Sequence, residues 1–235
     1  MKFSSVAEIF FPLRCPGCDG IPEKDFPVCT ACKELIIHPE KSKASCEICF
    51  LSLKNCICSK RQFYDKLSAS FIYDGTPKRM IFKLKFRARP DLAKSYAKLL
   101  FYSLNERNML EKTDVITFIP MHPFDKFKRG YNQSELMARY ISMLSGVPCL
   151  PLLQKIVKTK SQHSLSKKMR SGNLLGAFEP ATKYLSEIEN KNILIIDDVS
   201  TTGATFNEIA KTLLIFGANE VFAAACTVTK KEKKY

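Results

Sequence analysis

From about Phe63 onward the apolar residues fall into blocks of two kinds. Ser68-Ala-Ser-Phe-Ile-Tyr73, Val115–Ile119 (ended by Pro120), Asn192–Ile196 and Glu220–Val228 are short apolar runs that predict strands, and Leu150–Val157 predicts another. Between them the spacing becomes helical. Asp91–Leu104 places Leu92, Ala93, Tyr96, Ala97, Leu99, Leu100 and Leu104 on one stripe, and Ser134–Leu144 predicts a second helix. In Thr205–Phe216, Phe206, Ile209, Ala210 and Leu213 share a face, with Gly217 as a stop. Strands alternating with helices predict an α/β fold, a mainly parallel sheet flanked by helices. Lys160–Asn173 is polar, basic and aperiodic and predicts a loop, and the tail from Lys230 is expected to fray. The first 62 residues lack these periods, are rich in Pro and Lys, and cannot bury a core of their own. Two parts follow: a small cysteine-rich module over residues 1–62 and an α/β domain over 63–235.

Cysteine spacing gives the module a chemistry. The pattern is Cys15-x-x-Cys18, Cys29-x-x-Cys32, Cys46-x-x-Cys49 and Cys56-x-Cys58. A Cys-x-x-Cys turn aims two thiolates at one point, and two such turns complete a tetrahedron of sulfur around zinc. A disulfide framework needs an oxidising compartment. Redox Cys-x-x-Cys motifs come singly beside a βαβ pattern, and the tight ferredoxin spacing is absent. One or two structural zinc ions are therefore expected. The spacing leaves open whether the pairs combine in sequence or in a cross-braced order. Cys56-x-Cys58 is tighter than the usual knuckle, so the second site is the less secured.

Charge changes the picture next. The 235 residues carry a formal +14, which attracts polyanions. Lys78, Arg79, Lys83, Lys85, Arg87 and Arg89 lie in one acid-free stretch, interleaved with Phe82 and Phe86. Lys158, Lys160, Lys167, Lys168 and Arg170 lie in another. Cations along a backbone with aromatic faces under bases suit single-stranded nucleic acid. The plainer expectation for Phe82 and Phe86, four residues apart, is core packing of a helix whose other face is solvated lysine. No apolar run approaches the roughly 20 residues of a membrane span. In the first residues, Glu8 interrupts the apolar stretch and Arg14 precedes Cys15, so neither a secretion leader nor a lipoprotein signal is expected. These features predict a cytoplasmic protein.

The most informative stretch is Asn192-Ile-Leu-Ile-Ile-Asp-Asp-Val-Ser-Thr-Thr-Gly-Ala-Thr205. An apolar strand delivers Asp197 and Asp198 to the sheet edge where ligands bind in open α/β folds. Backbone N–H groups of the turn, the hydroxyls of Thr201, Thr202 and Thr205, and the positive helix end can cradle a phosphate. Gly203 lets the backbone approach closely. Two carboxylates beside the cradle suit vicinal sugar hydroxyls. No Walker A lysine follows the glycine.

This segment resembles the phosphoribosyl-pyrophosphate loop of type I phosphoribosyltransferases. Ile119-Pro-Met-His-Pro123, Arg129-Gly-Tyr-Asn-Gln133, Gln162-His-Ser-Leu-Ser166, Arg170-Ser-Gly-Asn173 and Gly176-Ala-Phe178 occur in the order found in the ComF family. So does a cysteine-rich amino-terminal module followed by Phe82-Lys-Leu-Lys-Phe86. The chain thus resembles that family over nearly its whole length, departing at Cys56-x-Cys58 and at Ser200. The resemblance implies a type I phosphoribosyltransferase-like domain preceded by a small module like a double zinc ribbon. It implies that Asp197 and Asp198 face the ribose hydroxyls and that Ser200, Thr201, Thr202, Gly203, Ala204 and Thr205 hold the 5′-phosphate. Met121 and His122 would face the pyrophosphate and Arg129 would neutralise it, with Mg2+ arriving on the ligand. For His122 the competing expectation is a turn or helix cap beside Pro123; His38 and His163 read as exposed loop residues. Residues 160–173 match a loop that closes over the site in transferases.

The function implied is handling of incoming single-stranded DNA during natural transformation. Phosphoribosyl pyrophosphate would be a ligand, and a competence helicase or another DNA-uptake protein a partner. The alternative is an active phosphoribosyltransferase acting on an unidentified base or amine, although no pocket for an accepting base is legible. A zinc-organised scaffold with a vestigial site is the third reading.

Overall fold

The computed structural model describes residues 14–24, 26–36, 46–52, 56–58, 62–87, 89–156 and 176–229. The amino-terminal start, the predicted loop 160–173 with His163, the tail from Lys230, and His38 lie outside them. In chain order the elements are a short helix α1 (Thr30–Glu34), β1 (Lys66–Ile72), α2 (Gly75–Phe86), a 3-10 turn (Pro90–Leu92) leading into α3 (Ala93–Asn105), and β2 (Val115–Phe118). There follow α4 (Pro123–Arg129), α5 (Gln133–Ser145), β3 (Leu153–Lys155), β4 (Phe178–Pro180), a 3-10 segment (Thr182–Glu187), β5 (Ile193–Ser200), α6 (Ala204–Ile215) and β6 (Val221–Val228).

The four long apolar runs form one parallel sheet in the order β1-β6-β5-β2. Every residue of β6 is buried, as a central parallel strand covered on both faces must be. Two cores result. One lies between the sheet and α2, α3 and α5, with Met80, Ile81, Leu84, Tyr96, Leu100, Met137 and Ile141 against Leu194, Ile196, Phe222 and Ala224. The other lies beneath α6, with Phe206, Ile209 and Leu213 against Ile193, Ile195, Val221 and Ala223. The predicted Leu150–Val157 strand shrinks to Leu153–Lys155 and pairs antiparallel with β4, outside the main sheet. The apolar run at Asn192 extends to Ser200, because β5 keeps pairing with β6 past both aspartates, from Asp197↔Ala225 to Ser200↔Val228. The turn that follows is correspondingly short.

The cysteine segments divide between the layers. Cys15, Val28, Cys32 and Ile36 join the core beneath α2 and α3, whereas Cys49 and Leu51 join the core beneath α6. The backbone N–H of Leu67 in edge strand β1 donates to the carbonyl of Ile48 at 2.8 Å, so the second cysteine segment covers part of that edge. Among the described residues no helix is long and apolar enough to cross a membrane.

Helix α2 corrects one expectation. Its buried stripe is Pro77, Met80, Ile81 and Leu84, and Phe82 and Phe86 point away from it, 49% and 51% exposed. Spacing of four was the wrong cue here, because the stripe at 77, 80, 81 and 84 already fills the core-facing side.

Candidate functional site

The sheet's carboxyl edge gathers the phosphate-loop residues. Asp197 and Asp198 lie within β5, Ser200 ends it, Thr201 and Thr202 form the turn, and Gly203 caps α6 in the left-handed region at φ +71. No side chain caps α6 at Gly203; the Thr202 hydroxyl reaches only the N–H of Ala204, at 3.3 Å. The first turn of this twelve-residue helix therefore presents amides and a positive dipole end at the sheet's carboxyl edge. The turn is tied down from behind: Thr229 N–H donates to Ser200 O at 3.0 Å, and the Thr229 hydroxyl to Thr201 O at 2.8 Å. Ser200 Oγ is buried without a protein partner.

Strand alternation puts Asp198 on the same face as Leu194, Ile196 and Cys226. It is 2% exposed, and Lys85 Nζ from α2 approaches Asp198 Oδ2 to 2.9 Å. Burial alone would lower the Lys85 pKa, but the charges of Asp198 and Asp197 more than offset it and the pKa is raised. Asp197 accepts a 2.7 Å hydrogen bond from Ser134 Oγ. Its pKa is pushed up from 3.8 to about 7, first by burial and next by the charge of Asp198, with Lys85 and Ser134 acting in the opposite direction. One acid of the pair is thus ion-paired, and the other holds a proton readily near neutrality. Chemically, a carboxylate pair can accept hydrogen bonds from a diol, and a turn leading into a helix amino terminus can accept an anion.

The loop after β2 runs beside this pair. Ile119 N–H donates to Ile196 O at 3.1 Å, and Asn132 Nδ2 donates to Ile119 O at 3.0 Å. Met121 and His122 follow, both partly exposed. His122 Nδ1 accepts from Phe124 N–H at 3.3 Å and caps α4, so the capping expectation for this histidine describes its contact. Arg129 donates to Gln133 Oε1 at 2.8 Å, lies 5.8 Å from the Phe86 ring, and is near enough to repel Lys85.

Three contributors were missed by sequence reasoning. Lys85 was read only as part of a basic stretch; the signal was its place four residues after Ile81 and next to Leu84, a charge at the border of an apolar stripe that needs a partner. Ser134 follows Asn132, whose side chain caps α5 by accepting from the N–H groups of Ser134 and Glu135, and its position two residues past a cap was readable. Tyr64 is 3% exposed, and its hydroxyl lies 2.8 Å from where a Cβ on Gly203 would stand. Nothing in its local sequence signals that contact.

The basic residues do not form one free stripe. Lys83 is held by Asp19 at 2.6 Å, Lys85 by Asp198 at 2.9 Å, and Arg89 by both Asp19 and Asp91 at 2.7 Å. Lys78, Arg79 and Arg87 are exposed. Beside them the Phe82 and Phe86 rings touch, centroids 5.1 Å apart and planes tilted by 41°, and Phe124 and Phe127 of α4 are 55% and 89% exposed. Lys158, Lys160, Lys167, Lys168 and Arg170 lie outside the described residues.

The eight amino-terminal cysteines form two tetrads in sequence order, Cys15/Cys18/Cys29/Cys32 and Cys46/Cys49/Cys56/Cys58, each with its sulfurs within 4.8 Å of one another. Sulfur separations of 3.5 Å (Cys18–Cys29), 3.8 Å (Cys46–Cys58) and 3.7 Å (Cys49–Cys56) match the edge of a tetrahedron. With Zn–S bonds of about 2.3 Å that edge is about 3.8 Å. Cys49 is pulled down to about 5, chiefly by its hydrogen bond with Cys58, whose own pKa rises. The tight Cys56-x-Cys58 pair fits its tetrad as well as the ordinary knuckles fit theirs, and both tetrads could hold structural zinc.

Comparison with known proteins adds the following. Residues 124–235 match the phosphoribosyl transferase domain family. The chain is 30% identical over 224 residues to Competence protein F of Haemophilus influenzae, covering 90% of this chain and 95% of that protein. It is 32% identical over 148 residues to DNA utilization protein YhgH of Escherichia coli, covering 60% of this chain and 63% of that one. It is 30% identical over 144 residues to Competence protein ComFC of Bacillus subtilis, covering 61% and 56%.

Proposed function

The chain belongs to the ComF family, and on that premise we propose that it binds phosphoribosyl pyrophosphate at the Asp197–Thr205 turn and serves the handling of incoming DNA single strands during natural transformation. The observation that carries the ligand reading is the acid pair near the end of β5, half-buried Asp197 and buried Asp198, followed closely by a helix amino terminus with no side-chain cap at Gly203. Asp197 and Asp198 would accept hydrogen bonds from the two ribose hydroxyls, and the amides and hydroxyls of residues 200–205 would hold the 5′-phosphate. Met121 and His122 would face the pyrophosphate, and Arg129 would neutralise it. Mg2+ would arrive with the ligand and neutralise its charge. Zinc in both tetrads would fix the amino-terminal segment, and such all-cysteine sites keep no open position for chemistry.

The DNA reading draws on relatives named for competence and DNA utilization. It draws also on the exposed aromatics Phe82 and Phe86, which share α2 with exposed Lys78, Arg79 and Arg87, and on exposed Phe124 and Phe127 of α4. Aromatic faces under bases and cations along phosphates suit a strand whose bases are free. A competence helicase or another DNA-uptake protein would deliver that strand in the cytoplasm.

The test of the ligand site is thermal stabilisation by phosphoribosyl pyrophosphate with Mg2+, absent in Asp197→Ala/Asp198→Ala. No shift in the unmodified protein at millimolar ligand overturns the ligand reading. Pyrophosphate release across a panel of bases, with the same double variant as control, separates a transferase from a binding module.

A further inference from the structure

Helix α2 carries three consecutive residues that reach three parts of the molecule. Lys83 Nζ donates to Asp19 Oδ2 at 2.6 Å and to Gly17 O at 3.0 Å, both in the first tetrad's segment. Leu84 is fully buried, and its carbonyl accepts from the Tyr131 hydroxyl. Lys85 meets Asp198. Residues two apart on a helix point about 200° apart, so one turn of α2 is held by the first tetrad on one side and by a ligand-site acid on the other. The knuckle has no slack against the helix: a Cβ on Gly17 would stand 2.6 Å from Cys32 Sγ and 3.3 Å from Thr76 Cγ2. The second tetrad reaches the phosphate turn from the other face of the sheet, within the core beneath α6. Tyr64 is buried in one core with Cys49, and Cys58 packs against that core; the Tyr64 hydroxyl fills the space in front of Gly203.

We propose that the two cysteine tetrads are positioning elements of the ligand site, the first setting Asp198 through Lys83 and Lys85, the second setting the phosphate turn through Tyr64, so that metal loss from either loosens the site. The proposal rests on the phosphoribosyl reading above for the identity of the ligand. Without metal, four clustered thiols lose the ion that draws them together, and the knuckles are free to open. Lys85 then loses its backing, and Asp198 faces an incoming polyanion with its charge less well offset. Tyr64 likewise releases the one turn whose amides must converge on a phosphate. The two routes act on different groups from opposite faces of the sheet. Lys83 is therefore a positioning residue that touches no ligand.

The test uses the full-length, zinc-loaded protein and reads two quantities: affinity for phosphoribosyl pyrophosphate with Mg2+, and amide exchange over residues 197–204. Lys83→Met and Tyr64→Phe should each keep the zinc content of the parent, weaken the ligand about tenfold (about 1.4 kcal/mol) and speed exchange in that turn. Lys83→Arg should restore both. Cys18→Ser, which removes a ligand of the first tetrad, should reproduce Lys83→Met. Parental affinity and exchange in both Lys83→Met and Tyr64→Phe overturns the proposal. If the parent protein binds no phosphoribosyl pyrophosphate, the ligand reading fails, and the exchange measurement alone decides whether the tetrads hold the turn.

Discussion

Ser134 Oγ donates a 2.7 Å hydrogen bond to Asp197 Oδ1, which ties the first turn of α5 to the end of β5. The bond favours the ionised acid, yet burial and the neighbouring Asp198 outweigh it and leave Asp197 near 7. Between its ordinary value of 3.8 and about 7 the folded chain holds a proton that the unfolded chain has released. This group's contribution to stability is therefore complete below the ordinary value and is lost as pH rises through about 7. Asp197→Asn keeps an acceptor for Ser134 and removes the charge. It should raise the melting temperature of the ligand-free protein at pH 8, by about 2–4 °C per kcal/mol recovered, with a clearly smaller gain at pH 5. Calorimetry at the two pH values checks this. The same variant should lose the ligand-induced shift. An Asn variant destabilised equally at both pH values contradicts the argument.

Gly203 sits at φ +71 with Tyr64 Oη 2.8 Å from the place a Cβ would take. Gly203→Ala therefore carries two penalties: a left-handed backbone costing about 1–2 kcal/mol and a steric conflict. Removing the hydroxyl relieves only the second, since the nearest ring carbons are 3.6 and 3.7 Å away. Denaturant unfolding should show Gly203→Ala losing more stability in the parent than in a Tyr64→Phe background, a coupling that a double-mutant cycle isolates. Equal losses in both backgrounds rule out the contact as a source of strain.

The tetrads sit in different cores, so their metals should be independent. Elemental analysis should find about two zinc ions per chain, and about one in Cys15→Ser or in Cys49→Ser. Each single variant should keep the far-UV spectrum of the parallel sheet while melting at lower temperature. Loss of both ions on changing one cysteine would show that the tetrads share ligands.

Much of this was legible because parallel strands buried on both faces leave a plain signature. Asn192–Ile196 and Glu220–Val228 read as strands without context, and the sequence alone pointed to residues 197–205 as the place where a strand end meets a helix start. Cysteine spacing announced tetrads but not their pairing, which depends on how chain segments between the pairs fold over opposite faces of the sheet. Lys85, Ser134 and Tyr64 escaped because each reaches the site from another part of the chain, across distances that periodicity does not encode. Phe82 and Phe86 misled for the opposite reason: hydrophobic and helically spaced, they satisfy the pattern of a core while the actual core stripe runs through Met80, Ile81 and Leu84.

Their exposure makes a further expectation. The Phe82 and Phe86 rings lie against each other at 5.1 Å in a tilted arrangement, with Arg87 6.0 Å from the Phe82 ring. Exposed substitutions away from the core change stability within about 0.5 kcal/mol, so Phe82→Ala/Phe86→Ala should fold and melt like the parent. Its affinity for a single-stranded oligonucleotide should fall by about 1–3 kcal/mol for each base that loses its stacking partner. The salt dependence should stay unchanged, because no phosphate contact is removed. Arg87→Ala should behave in the complementary way: a smaller loss of affinity at low salt, and a slope of log affinity against log salt reduced by about 1. Fluorescence anisotropy at several salt concentrations separates the two. Parental affinity in both variants would move the strand-binding surface away from α2 altogether.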